Sequence, residues 1–165
     1  MRTVLKVAST LSWFNLVFWG MITLLCLLMT LVMGPVVLVP AVLLCAIPLN
    51  SYAALQLHKS IRQPAIKLSN QTPAGIRFVG FVALFCGLLL CADGIVAALH
   101  PDSVVEAMRQ SYSQMGVKEP AGLTPALGRK WAIIVLILGL GVVVNVMLNF
   151  RLLRWYYLVH QSDAP

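Results

Sequence analysis

Charge is what this sequence has least of. Only 10% of its 165 residues are charged, with five Asp and Glu in all, against 60% hydrophobic. A soluble domain carries roughly 25% charged residues, so this scarcity excludes a water-exposed globular surface. No run of five or more like charges occurs, and basic residues do not interleave with aromatics. Both absences argue against nucleic acid as a partner, despite a net charge of +7. There is no H-E-x-x-H, no G-x-S-x-G and no phosphate-binding glycine loop. No C-x-x-C occurs either, and Cys26, Cys45, Cys86 and Cys91 all fall inside apolar runs. They read as small packing residues rather than a redox pair. His58, His100 and His160 sit at the ends of those runs without a partner ligand at helical spacing. They are expected to be solvated at the interface, and neither a metal site nor a cofactor is expected.

What the chain has in abundance is long apolar blocks, with a mean hydropathy of +0.90. Blocks of about 20 apolar residues match a hydrocarbon core about 30 Å thick. Four can be drawn, over residues 13–33, 36–57, 78–99 and 131–153. The first is too long for a signal-peptide core, lacks an A-x-A site after it and reads as a retained span. The expected fold is therefore all-α, a single membrane domain with four transmembrane helices in an up-down bundle. Gly34-Pro35 marks a tight turn between the first two spans. Pro40 and Pro48 predict kinks in the second.

Lys and Arg near the span ends set the orientation. Arg2, Lys6, Lys59, Arg62, Lys67, Arg77, Arg151 and Arg154 fall on one side, against Arg109, Lys118, Arg129 and Lys130 in the last connection. That bias places both termini in the cytoplasm, as for a multi-pass protein of a bacterial inner membrane. Trp13, Tyr52, Phe78, Trp155, Tyr156 and Tyr157 would form an aromatic belt on the same side.

The connection over 100–128 is the longest segment between spans. Ser103-x-x-Glu106 suggests a capping box, and Val104, Val105, Met108, Tyr112 and Met115 recur at helical spacing. A short amphipathic helix is expected there, lying on the outer surface or over the bundle.

Between helices in lipid, packing relies on small residues and interhelical hydrogen bonds. The third span carries a small-residue seam of Gly80, Ala83, Gly87, Cys91, Gly94 and Ala98. Asn15, Asn50 and Asn145 fall at similar depth on three different spans, and an inner hydrogen-bonded cluster of the three amides is expected.

Asp93 is the one acid inside a span. A carboxylate near the bilayer centre costs about 2.5–3.5 kcal/mol on insertion scales, and such acids mark functional sites by default. It lies beside Gly94 but about 100° away on a helix, bordering the seam, and is expected to meet a neighbouring helix. Three roles suit it: a proton or cation site, an ion pair with Arg129 or Lys130, or a neutral hydrogen bond to Thr23 or Thr30. With no second carboxylate in any span, acid-pair chemistry is not expected. The leading expectation is a non-catalytic membrane protein acting through assembly, as a homo-oligomer or an accessory subunit of a larger complex. The alternative is a small transporter or channel using Asp93, with the second span as its moving element.

Overall fold

A computed structural model describes residues 2–34, 37–63, 68, 72–114, 116–118, 120 and 122–161. Lys67, Met115 and the Pro35 half of the first turn lie outside the described residues. The fold is all-helical, with α1 (Arg2–Met33), α2 (Leu38–Arg62), α3 (Thr72–Leu99), α4 (Pro101–Gln114) and α5 (Pro125–Gln161), and no strand among the described residues. Four of these, all but α4, are long and apolar enough to cross a membrane. The chain is a multi-pass membrane protein.

The helices outrun the apolar blocks. The 37 residues of α5 extend about 55 Å at 1.5 Å per residue, well beyond the hydrocarbon. Hydropathy marks only the part of a helix that lipid touches, whereas backbone hydrogen bonding continues past the interface. Helix α5 starts at Pro125, where Thr124 accepts from the Leu127 amide at 3.4 Å through its hydroxyl. This is an N-cap followed by proline at the first helical position.

Several local expectations change. Pro40 lies in the first turn of α2, where backbone amides lack helical partners anyway, so only Pro48 is interior. Ser103 is not the cap of α4. The helix begins at Pro101, one residue after α3 ends, and the Ser103 hydroxyl donates to the His100 carbonyl at 2.7 Å. Tyr156 leaves the proposed belt for the core, 9% exposed, whereas Trp13, Tyr52 and Phe78 are exposed. Gly34 closes α1 in a left-handed conformation, φ 79°, its amide bonded to the Thr30 carbonyl.

The chain divides into two compact units, Met1–Cys86 with Gly141–Pro165, and Gly87–Leu140. In the first, Ala8, Leu57, Ile76, Leu152, Leu153 and Tyr156 form an apolar core. That core joins the start of α1, the end of α2, the start of α3 and the end of α5. Gly80 lets α3 come close here: a Cβ on it would sit 2.6 Å from the Phe150 ring and 3.2 Å from Asn50 Oδ1. In the second unit, a Cβ on Gly94 would meet the Leu136 amide nitrogen at 2.8 Å, and one on Gly139 the Cys91 nitrogen at 2.9 Å and the Gly87 carbonyl at 3.1 Å. Helices α3 and α5 thus pack backbone to backbone there. Helix α4 buries Val105, with Val104, Met108 and Tyr112 half-buried.

Candidate functional site

The inward face of α1 is polar. Ala8, Ser12, Asn15, Trp19 and Thr23 are all buried, at spacings of four, three, four and four, which fall on one helical face. The opposite face, with Phe14, Val17, Met21, Leu25 and Leu28, is exposed. This inverts the pattern of a soluble helix. It is stable in lipid because apolar side chains gain nothing by leaving one hydrocarbon phase for another.

That polar face meets α5 at Asn145. The Ser12 hydroxyl donates to Asn145 Oδ1 at 2.9 Å, and Asn149 Nδ2 donates to the same oxygen at 3.4 Å. Asn145 Nδ2 donates to Ser51 Oγ at 3.5 Å, and Ser51 in turn donates to the Ile47 carbonyl at 2.9 Å. At the other end, His58 Nε2 lies 3.1 Å from Asn149 Oδ1. With Asn149 Nδ2 committed to Asn145, its Oδ1 must accept, so the network assigns the proton to His58 Nε2. His58 Nδ1 is then a bare acceptor, buried and without a partner. The chain runs from His58 through Asn149, Asn145 and Ser51 to a backbone carbonyl. Carboxamides do not ionise, and the chain ends on a peptide group. It holds α1, α2 and α5 in register and is poorly suited to carrying protons.

The three amides do not form the cluster expected of them. Asn145 is a hub, but its partners are Ser12, Ser51 and Asn149. Asn15 Nδ2 and Asn50 Oδ1 are buried without partners, as are Trp19 Nε1 and Thr23 Oγ1. The unpartnered donors lie on α1 and the unpartnered acceptors, Asn50 Oδ1 and His58 Nδ1, on α2. His58 itself was expected in solvent, yet is only 2% exposed. Its neighbours in "LQLHKSIR" read as an interface, and the depth of the α2 end inside the apolar core carries it inward.

Asp93 belongs to the second unit. It is exposed and makes no hydrogen bond or ion pair with any described residue. Arg129 and Lys130 are exposed as well. Thr30 donates to the Leu27 carbonyl of its own helix. Asp93 lines a groove of about 630 Å³ with Val96 and Ala97 of α3 and, from α4, Val104, Ala107, Ser111 and Tyr112 among others. The neighbour beside this acid is therefore α4, which the position of Asp93 in an apolar run did not reveal. Of the seam, Gly80, Ala83, Gly87 and Gly94 are buried and Cys91 and Ala98 half-buried.

Compared with protein-family models, with curated proteins and with solved structures, the chain finds no significant match in any of the three.

Proposed function

We propose that the protein is a non-catalytic membrane component that acts by assembling with other membrane chains, either copies of itself or subunits of a larger complex. Asp93 carries this reading. It is an exposed carboxylate without a partner, about 9 Å inside the end of α3 at 1.5 Å per residue. An acid left to lipid at such depth is costly, and a cationic or amide group from a second chain would relieve that cost. The groove beside it, walled by α4, offers hydroxyls at Ser103, Ser111 and Tyr112 for a polar contact. The buried network supports the same reading, because a core built mainly of carboxamides and hydroxyls, with His58 at one end only, suits a scaffold better than a proton carrier. On the distribution of Lys and Arg, we place both termini in the cytoplasm, with α4 on the outer side.

The test is native mass measurement after mild-detergent extraction of wild type and Asp93→Ala. Wild type is expected above monomer mass or with a bound subunit, and Asp93→Ala is expected to lose that association. A stable wild-type monomer refutes the proposal. Ion flux in proteoliposomes that vanishes in Asp93→Asn would replace it with the transport reading.

A further inference from the structure

The first structural unit is rich in cations and has no described acid. Lys6, Lys59, Arg62, Arg77, Arg151 and Arg154 all lie in it, and none of its described residues is Asp or Glu. Among the described residues of the unit, no carboxylate balances this charge. The end of the α2 dipole opposes it, since Lys59 and Arg62 occupy the last turn of that helix. A helix terminus contributes only about half an elementary charge, against two full ones.

These cations line concavities. Lys59 and Arg62 border a cavity of about 700 Å³, whose other walls include Gln56, Trp13, Tyr52 and Leu16. His58, with its unpartnered Nδ1, also lines it. A second cavity of about 600 Å³ pairs Arg77 and Arg154 with Phe81, Phe150 and Tyr157. There the Arg77 guanidinium sits 5.2 Å from the centre of the Tyr157 ring, a cation–π arrangement that fixes its position. Both cavities lie at the end of the unit where α1 begins and α2 and α5 finish. Each combines two cations with aromatic and aliphatic walls. An inorganic anion would satisfy the charge but leave the apolar wall unused. An amphiphile with a negative head satisfies both, and basic pockets between membrane helices are where such head groups bind.

We propose that the Lys59–Arg62 cavity binds an anionic phospholipid of the adjacent leaflet. Its phosphate is held by Lys59 and Arg62, and its upper acyl chain lies against Trp13, Leu16 and Tyr52. Arginine and lysine both serve phosphate, the first through its planar fork and the second as a point charge. The Arg77–Arg154 cavity offers the same chemistry a second time.

The test uses the full chain in nanodiscs of phosphatidylcholine doped with phosphatidylglycerol, followed by native mass spectrometry of the lipids retained. Wild type is expected to retain phosphatidylglycerol preferentially. On an Arg77→Gln/Arg154→Gln background, which neutralises the second cavity, the preference of Lys59→Gln/Arg62→Gln should fall about 25-fold, for two cations at about 1 kcal/mol each and tenfold per 1.4 kcal/mol. Both side chains are exposed, so the fold should survive, and the charge-preserving swap Lys59→Arg/Arg62→Lys should retain the lipid. Arg129→Gln/Lys130→Gln removes equal charge outside both cavities and should retain it too. Unchanged retention in Lys59→Gln/Arg62→Gln on that background overturns the proposal. So does an equal loss in Arg129→Gln/Lys130→Gln, which would mean unspecific attraction. Thermal stabilisation by inorganic phosphate equal to that by phosphatidylglycerol also overturns it, in favour of a small-anion site.

Discussion

Asn145→Ala is the sharpest test of the buried network. Asn145 and Asn15 are equally buried, each 1% exposed, so truncation to alanine removes the same atoms from comparable surroundings. Their hydrogen bonding differs. Asn145 accepts from Ser12 and Asn149 and donates to Ser51, whereas Asn15 Nδ2 has no partner. Hydrogen bonds between membrane helices average about 0.6 kcal/mol, with a maximum near 1.7. Losing three bonds should therefore cost about 2 kcal/mol more in Asn145→Ala than in Asn15→Ala, and the gap widens because the Asn149 amide stays buried with an unmet donor. The assay is reversible unfolding in mixed micelles, with wild type and both variants at matched detergent composition. A double-mutant cycle between Ser12→Ala and Asn145→Ala should return a coupling of about 0.6 kcal/mol. Equal destabilisation by the two asparagine variants, or zero coupling in the cycle, would refute the hub.

The same assay reads two further expectations. Gly94→Ala and Gly139→Ala push a Cβ against neighbouring backbone and should destabilise, since overpacking costs about 1–3 kcal/mol and alanine's helix propensity returns at most about 1. Gly141→Ala, with nothing within 4 Å of its new Cβ, should be neutral or stabilising; a lower stability than Gly94→Ala would contradict the close approach of α3 and α5. His58→Leu should cost about 1–3 kcal/mol by leaving Asn149 Oδ1 unpaired, and His58→Gln, which keeps an N–H donor, should recover part of that. Equal stability of the two would show that the donor at Nε2 is not what matters.

The architecture was legible because lipid imposes a length on apolar runs, and four such runs left few alternatives. The amphipathic α4 followed from spacing for the same reason, a face that must be buried. The polar interior was only half legible. Depth along the helix pointed to Asn15, Asn50 and Asn145, but depth does not give rotation, and rotation decided that Asn145 meets Ser12 and Ser51 rather than the other amides. Ser12 and Ser51 carried no signal, since a hydroxyl in a membrane helix can always bond to its own backbone. His58 was misplaced because its neighbours Lys59 and Arg62 extend outward while His58 turns inward on the same turn of helix. Asp93 stands out as the one acid inside an apolar run, whereas the groove beside it depends on α4 following α3 after a single residue.

The bond between Ser12 and Asn145 joins residues 133 positions apart, and this governs the order of events during synthesis. At 5–20 residues per second, roughly 7–27 s separate the emergence of the two partners. Throughout that interval α1 is in the membrane without the Asn145 side-chain carbonyl that Ser12 meets in the folded protein. Helix α5 therefore acts as the latch. A chain truncated before α5 would leave Ser12 and Ser51 without the Asn145 side chain that both meet in the folded protein.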